Sequence, residues 1–240
     1  MSARSSGDTA AFDIKIFTDN VVVGYPIRDG RGVGEPELGH IFGVFADFQA
    51  MLAMQGHLVR GGIALGNHYM DDDIVFGDAL IEAVKLDESG GAPRIALAPS
   101  AVEAVQHHLA FYGKPQSSPD YDDLLQDADG TVFLNYLEVA FVGFPDGGIN
   151  LAVFEKHRNR IEGGLERFQG KQVRPKYEWA ARYHNFVCED FADRYASVVP
   201  SDAETAALAD HVQSLRDFII KGVDMTNVPT RLRLNPIKPV

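Results

Sequence analysis

Phe12-Asp13-Ile14-Lys15-Ile16-Phe17-Thr18-Asp19-Asn20-Val21-Val22-Val23-Gly24-Tyr25 is the stretch from which the fold is read. Phe12 to Phe17 is rich in β-branched and aromatic residues and reads as a strand, and Val21 to Tyr25 reads as its return. Thr18-Asp19-Asn20 supplies turn-forming side chains, so the pair is a short hairpin. Alternate residues of a regular strand share a face, which aligns Asp13, Lys15, Phe17 and Asp19 and separates Lys15 from Asp19 by ~13 Å. A carboxylate on a tight turn is a candidate Mg²⁺ or Mn²⁺ ligand, although an Asp also stabilises its own turn without any ion.

Working outward, Pro26 to Leu38 is rich in Gly and Pro and is expected as a loop. It contains Gly30-Arg31-Gly32-Val33-Gly34, which has the composition of a phosphate loop but neither the feeding strand nor the following helix. His40 to Met54 carries apolar residues at helical spacing, and Gly56 stops the helix. Leu58 to Leu65, containing Arg60-Gly61-Gly62, is expected as a strand, Asn67 to Asp73 as a polar connection, and Ile74 to Phe76 as a short strand. Gly77-Asp78 opens a helix to about Glu88. A strand at Arg94 to Ala98, a helix from Pro99 to about Tyr112, an acidic loop from Ser117 to Gly130 and a strand from Thr131 to Tyr136 follow. From Asn150 the pattern turns to helices alone: 150–168, 175–195 and 201–221, the last opened by the capping box Ser201-Asp202-Ala203-Glu204. The expected fold is α+β, a sheet with helices followed by a helical C-terminal extension. The divisions are 1–11 as a flexible N-terminus, 12–149 as the mixed domain and 150–240 as the extension.

Composition narrows the function. The 240 residues are 45% hydrophobic, enough for a substantial core. A formal net charge of -12 repels phosphate backbones and anionic lipid, which argues against nucleic acid and direct membrane contact as partners. An anionic small molecule remains compatible where a metal supplies positive charge. The single cysteine, Cys188, forms no intrachain disulfide, fits a reducing cytoplasm and is expected as a buried structural thiol. No apolar run approaches the ~20 residues of a membrane helix. The eight histidines show no metal-ligand spacing, and His107 and His108, being adjacent on a helix, face different ways.

Three segments in order carry a resemblance: Phe17-Thr18-Asp19-Asn20, then Val59-Arg60-Gly61-Gly62-Ile63, then Val75-Phe76-Gly77-Asp78 with Ala79-Leu80-Ile81-Glu82-Ala83. The order resembles the class III nucleotide cyclases, which have a metal-binding hairpin, a helix, a V-R-x-G-I strand and a V-W-G-D turn. The F-[ST]-D-N hairpin, the Gly77 to Ala83 segment and Lys176-Tyr177-Glu178-Trp179-Ala180-Ala181-Arg182-Tyr183-His184-Asn185 are most similar to the bacterial pyrimidine cyclases of antiphage defence. The similarity runs from about residue 12 to 195.

The resemblance implies a class III cyclase-like sheet and a reaction converting UTP, or CTP, to the 3′,5′-cyclic monophosphate and pyrophosphate. It implies two Mn²⁺ or Mg²⁺ ions, with Asp19 as one metal aspartate; one ion activates the ribose 3′-hydroxyl and the other neutralises the leaving pyrophosphate. Lys15 and Asp73 (or the adjacent Ile74) fall at base-reading positions, Arg60 lies in the motif strand, and Lys85 falls where an arginine stabilises the transferring phosphoryl group. Ile81 replaces a transition-state asparagine of the purine cyclases, which argues against ATP or GTP as substrate. A homodimer, a cytoplasmic setting and a downstream effector gated by the cyclic nucleotide are implied as well. A further strand of the form D-I-x-G-F, carrying the second metal aspartate, is absent from these residues; Asp13 and Asp19 on one strand lie too far apart to share two ions ~4 Å apart. The expectation is that the strand is encoded upstream and that activity is poor without it. A nucleotide-binding homodimer without catalysis is the alternative of a different class.

His184-Asn185, near Trp179, is expected to pack rather than catalyse.

Overall fold

The computed structural model describes residues 12–27, 34–88, 91–141, 148–196 and 203–237. The expected flexible 1–11 segment, most of the Gly30–Gly34 stretch and the Ser201–Glu204 capping box lie outside the described residues, apart from the backbone of the helix that starts at Ala203.

The opening hairpin forms as expected, with β1 (Asp13–Phe17) antiparallel to β2 (Asn20–Gly24) and Phe17 opposite Asn20. Thr18 takes φ 54°, the left-handed region that a β-branched residue rarely occupies. This hairpin is a two-stranded sheet by itself. Helix α1 (Glu35–Met54) follows and begins inside the stretch expected as loop. Pro36 sits at the start of the helix, where a missing N–H costs nothing, so it initiates the helix rather than preventing it.

The main sheet has five strands in the order β3-β6-β8-β7-β9: Gly61–Ile63, Ile95–Leu97, Val132–Leu134, Leu124–Gln126 and Thr230–Arg231. Only the β3–β6 pair is parallel, and it is joined by a crossover. The crossover contains a second small hairpin, β4 (His68–Met70) with β5 (Val75–Gly77), and helix α2 (Asp78–Glu88). The region read as a polar connection thus contains a strand. Tyr69 stacks on Phe76 across the hairpin, with ring centroids 5.3 Å apart, the cross-strand pairing that polar neighbours hide in the sequence.

Gly62 lets α2 lie on β3: a Cβ there would fall 2.6 Å from the Ala83 carbonyl oxygen. Gly77 combines φ 143° with a Cβ position 2.4 Å from the Asn67 oxygen, so the glycine is required on both counts.

Both faces of the main sheet are covered, because alternate residues enter opposite cores. Ile95, Leu97, Leu124, Val132 and Leu134 pack with helix α3 (Pro99–Leu109) and with Leu38 and Phe42 of α1. Ala96, Leu125 and Phe133 pack on the other side against helices α5 (Leu151–Arg167) and α6 (Arg174–Arg194) and against Ala46, Ala50 and Ala53 of α1. Phe133 is fully enclosed, with Trp179 5.4 Å and Tyr183 5.9 Å away edge-on. Burying a side chain of that kind stabilises by about 1.5–3 kcal/mol.

The stretch expected as an acidic loop contains the short helix α4 (Asp120–Asp123) and strand β7, whose Leu124 and Leu125 are fully buried. The 150–240 segment is not helical throughout. After α5, α6 and α7 (Ala203–Asp217) the chain returns as β9 to pair with β7, and α5 and α6 share one core with α1, β7 and β8.

His184 and Asn185 on α6 pack, as expected, and so do the aromatic residues beside them. Tyr183 donates to Asn135 and accepts from the Leu137 N–H, and Trp179 Nε1 donates to Asp127 at 2.7 Å. Asn185 satisfies both backbone groups of Ile220. Cys188 is buried and its thiol pKa is pushed up by burial, consistent with a structural role. His184 lies 3.0 Å, nitrogen to nitrogen, from His157, which meets the Tyr136 hydroxyl at 2.8 Å. Burial holds His157 well below the usual imidazole range and His184 at about 4. Opposite in sign are two carboxyl groups, Asp123 at the end of α4 and Glu138 in the short helical turn that follows β8. Burial, then Asp120 and Asp122, pushes Asp123 up to about 6; burial, then Asp122, pushes Glu138 up to about 7.

Candidate functional site

The two small hairpins meet. A Cβ on Gly24 would lie 2.5 Å from His68 Nε2, so the open end of β1–β2 rests against β4. Lys15 is half-buried and its charge acts on Asp71. Asp71 closes the β4–β5 turn: it accepts the Tyr69 hydroxyl at 2.6 Å and the N–H groups of Asp73 and Ile74 at 2.9 and 2.8 Å. The Tyr69 hydrogen bond, then those two backbone bonds, and finally Lys15 lower the Asp71 carboxyl below its usual range. The first of the three aspartates is thus engaged in its turn, while Asp73 is exposed beside it.

Asp19 occupies the tip of the first hairpin. Its Oδ1 accepts from Thr18 Oγ1 at 2.9 Å and Asn20 Nδ2 at 3.2 Å, and all three residues are exposed. Because β1 ends at Phe17, Asp19 lies in the turn and the alternation of faces does not extend to it. Lys15 and Phe17 span ~7 Å of strand, with Asp19 just beyond. Among the described residues Asp19 belongs to no group of three side chains able to hold a metal. One carboxylate does not hold two ions; the remaining ligands would have to come from a triphosphate, water or another chain.

α2 begins directly after β5 and carries Lys85, exposed, about 10 Å along the helix from Asp78. Arg60 points elsewhere. Its Nε is 3.2 Å from Asp87, and it lines a cavity of ~600 Å³ together with Arg94, Asp127, Trp179 and Arg182. In that cavity Arg94 is bound by Asp127 and by Asp129, so much of its charge is already neutralised. None of Lys15, Asp19, Asp73 or Lys85 lines it. The five residues read from the sequence therefore divide: Lys15 and Asp73 lie on facing hairpins, Asp19 at a tip, Lys85 on the adjoining helix, and Arg60 at a separate cavity.

The elements carrying these residues expose apolar side chains: Ile14, Ile16 and Phe17 on β1, Val21 on β2, Phe76 on β5, and Ile81 and Val84 on α2. A stripe on α1, Val44, Phe48 and Met51, is exposed as well.

Sequence reasoning missed a cluster formed by Glu35, His108 and Asp120, in which one ligand atom from each lies within 4.8 Å of the others. The three share no local spacing, so no motif could have signalled it. Among the described residues no helix is long and apolar enough to cross a membrane. Comparison with protein-family models, with curated proteins and with solved structures finds no match.

Proposed function

We propose that this chain is a nucleotide cyclase of the class III type, acting on a pyrimidine nucleoside triphosphate to form the cyclic monophosphate and pyrophosphate, with UTP favoured over CTP. The observation that carries the reading is the juxtaposition of two hairpins and a helix bearing the motif residues in the family's order: Asp19 at one tip, Lys15 on the same hairpin, which adjoins the β4–β5 hairpin that bears Asp73, and Lys85 on α2. Lys15 and Asp73 supply a donor and an acceptor for a base edge. Lys85 supplies a point charge for phosphate, without arginine's planar fork. A divalent ion at Asp19, when bound, would neutralise triphosphate charge.

The exposed apolar residues on these same elements, Ile14 and Ile16 on one face of β1 and Phe76, Ile81 and Val84 on β5 and α2, support a second copy of the chain as partner. On this reading the product is a messenger for antiphage defence, made in the cytoplasm and sensed by a separate effector.

A non-catalytic nucleotide-binding homodimer is the second reading, favoured by the absence of a three-ligand group around Asp19 among the described residues. The test incubates the purified chain, alone and with any in-frame upstream codons restored, with each of the four NTPs and Mn²⁺, and identifies products by mass. The expected result is cyclic UMP or CMP, lost by at least ~100-fold in Asp19→Ala, as befits removal of a metal ligand in phosphoryl chemistry. Cyclic AMP or GMP would establish a purine cyclase instead. Nucleotide binding without turnover in either form sinks the catalytic reading.

A further inference from the structure

We propose that Glu35, His108 and Asp120 bind one divalent transition-metal ion, with zinc the best match, tying the start of α1 to the end of α3 and the start of α4. Glu35 lies in the first turn of α1, His108 in the last turn of α3, and Asp120 opens α4. One ligand atom from each falls within 4.8 Å of the other two. The proposal involves none of the residues of the nucleotide reading and stands whether or not that reading does.

The independent observation is Asp120 itself. It is 1% exposed, its Oδ2 lies 3.3 Å from His108 Nδ1, and its Oδ1 is buried without a hydrogen-bond partner. A carboxylate oxygen removed from water and left bare costs free energy that a cation would recover. The 3.3 Å separation is longer than the ~2.7–2.9 Å of a charge-assisted hydrogen bond. It equals the edge of a tetrahedron around zinc, ~3.3–3.5 Å for Zn–N and Zn–O bonds of ~2.0–2.2 Å. Tyr112 donates its hydroxyl to Glu35 Oε1 at 2.6 Å, which orients that carboxylate as ligating carboxylates are oriented in metal sites.

The donor set selects the ion. One imidazole and two carboxylates suit zinc, with manganese or iron(II) as weaker competitors, whereas magnesium and calcium prefer oxygen donors throughout. The three ligands are drawn from elements that enclose Leu38, Phe42, Val105 and Leu109, so an ion there would brace that core. The site is stabilising by linkage, since an ion that binds the folded chain alone shifts unfolding upward.

The test uses the full chain, stripped with EDTA and dialysed, and Zn²⁺ alone with no nucleotide. Calorimetric titration is expected to give one tight equivalent, with a rise in melting temperature and no displacement by millimolar Mg²⁺. Glu35→Gln and Asp120→Asn should each weaken it by at least ~10-fold, while Glu103→Gln, an exposed change on α3, leaves it unchanged. Circular dichroism establishes that each variant is folded; should Asp120→Asn fail to fold, Glu35→Gln, at a half-buried position, decides alone. Absence of a tight equivalent, or zinc bound equally well by Glu35→Gln, overturns the proposal.

Discussion

Gly62→Ala is expected to destabilise the chain by about 3 kcal/mol, the upper end of overpacking costs. The added methyl would sit 2.6 Å from the Ala83 carbonyl oxygen and 3.0 Å from its Cα, both backbone atoms of α2. No rotamer change relieves that contact; the helix must move off β3. For a chain of this length the loss corresponds to a melting point lower by roughly 6–12 °C. The matched control is Gly43→Ala on α1, where nothing lies within 4 Å of the new methyl. There the helix gains up to ~1 kcal/mol in propensity, so the two Gly→Ala changes should have opposite signs. Thermal denaturation reads both, and equal melting points for Gly62→Ala and the parent would show that α2 does not pack on β3 as described. The motif Val59-Arg60-Gly61-Gly62 thus contains a glycine whose role is packing, quite apart from any chemistry at Arg60.

The second large effect concerns pH. His157 and His184 are neutral in the fold, with folded pKa values below the unfolded ~6.5. Their contribution is fully present above pH 6.5 and is lost as pH falls toward the folded values; for His184, whose folded value is about 4, the loss is about 2 kcal/mol between pH 8 and pH 5. Glu138 and Asp123 act in the opposite sense. Their folded pKa values, about 7 and about 6, lie above the unfolded ones. The fold therefore loses stability as pH rises from ~4 through 7, and regains about 4 kcal/mol from the two together on going from pH 8 to pH 5.

The two effects oppose each other between pH 8 and pH 5. Glu138→Gln removes one of the opposing groups while keeping an oxygen for Asn135 Nδ2. The variant should be more stable than the parent by about 2–3 kcal/mol at pH 8 and by about 1 kcal/mol or less at pH 5, so that its advantage shrinks as pH falls. Urea denaturation at the two pH values measures it; an unchanged difference between pH 8 and pH 5 would show that Glu138 is not buried in its neutral form.

Much of the architecture was legible in the sequence where the signals are local. The β1–β2 hairpin follows from two β-branched runs around Thr18-Asp19-Asn20, and α2 from Gly77-Asp78 ahead of an apolar repeat. His184-Asn185 was expected to pack, and both residues are buried with hydrogen-bonded partners. The misses have physical causes. β4 and β7 are three residues long and bordered by charged turns, so their identity comes from partners, Phe76 opposite Tyr69 and Phe133 opposite Leu125, and not from their own pattern. The start of α1 was obscured because Pro36 breaks helices at interior positions and begins them at the first turn. Of the candidate site, Asp19, Lys15, Asp73 and Lys85 came from motif order, whereas the meeting of the two hairpins at Gly24 and His68 and the approach of His108 to Asp120 depend on the tertiary fold and leave no trace in local spacing.

The last strand, β9, has a consequence for synthesis. Arg231 reaches back across 109 residues to Asp122 and also clasps Asp190, and its strand covers the outer edge of β7. A ribosome delivers residues in order, at ~5–20 per second. Until Thr230 and Arg231 have emerged, β7 presents an unpaired edge to its surroundings, and the nascent chain waits with that edge open for several seconds after β7 and β8 can pair. Closure of that edge thus waits on synthesis of residues some hundred positions downstream of β8, and the interval leaves β7 open to misassembly.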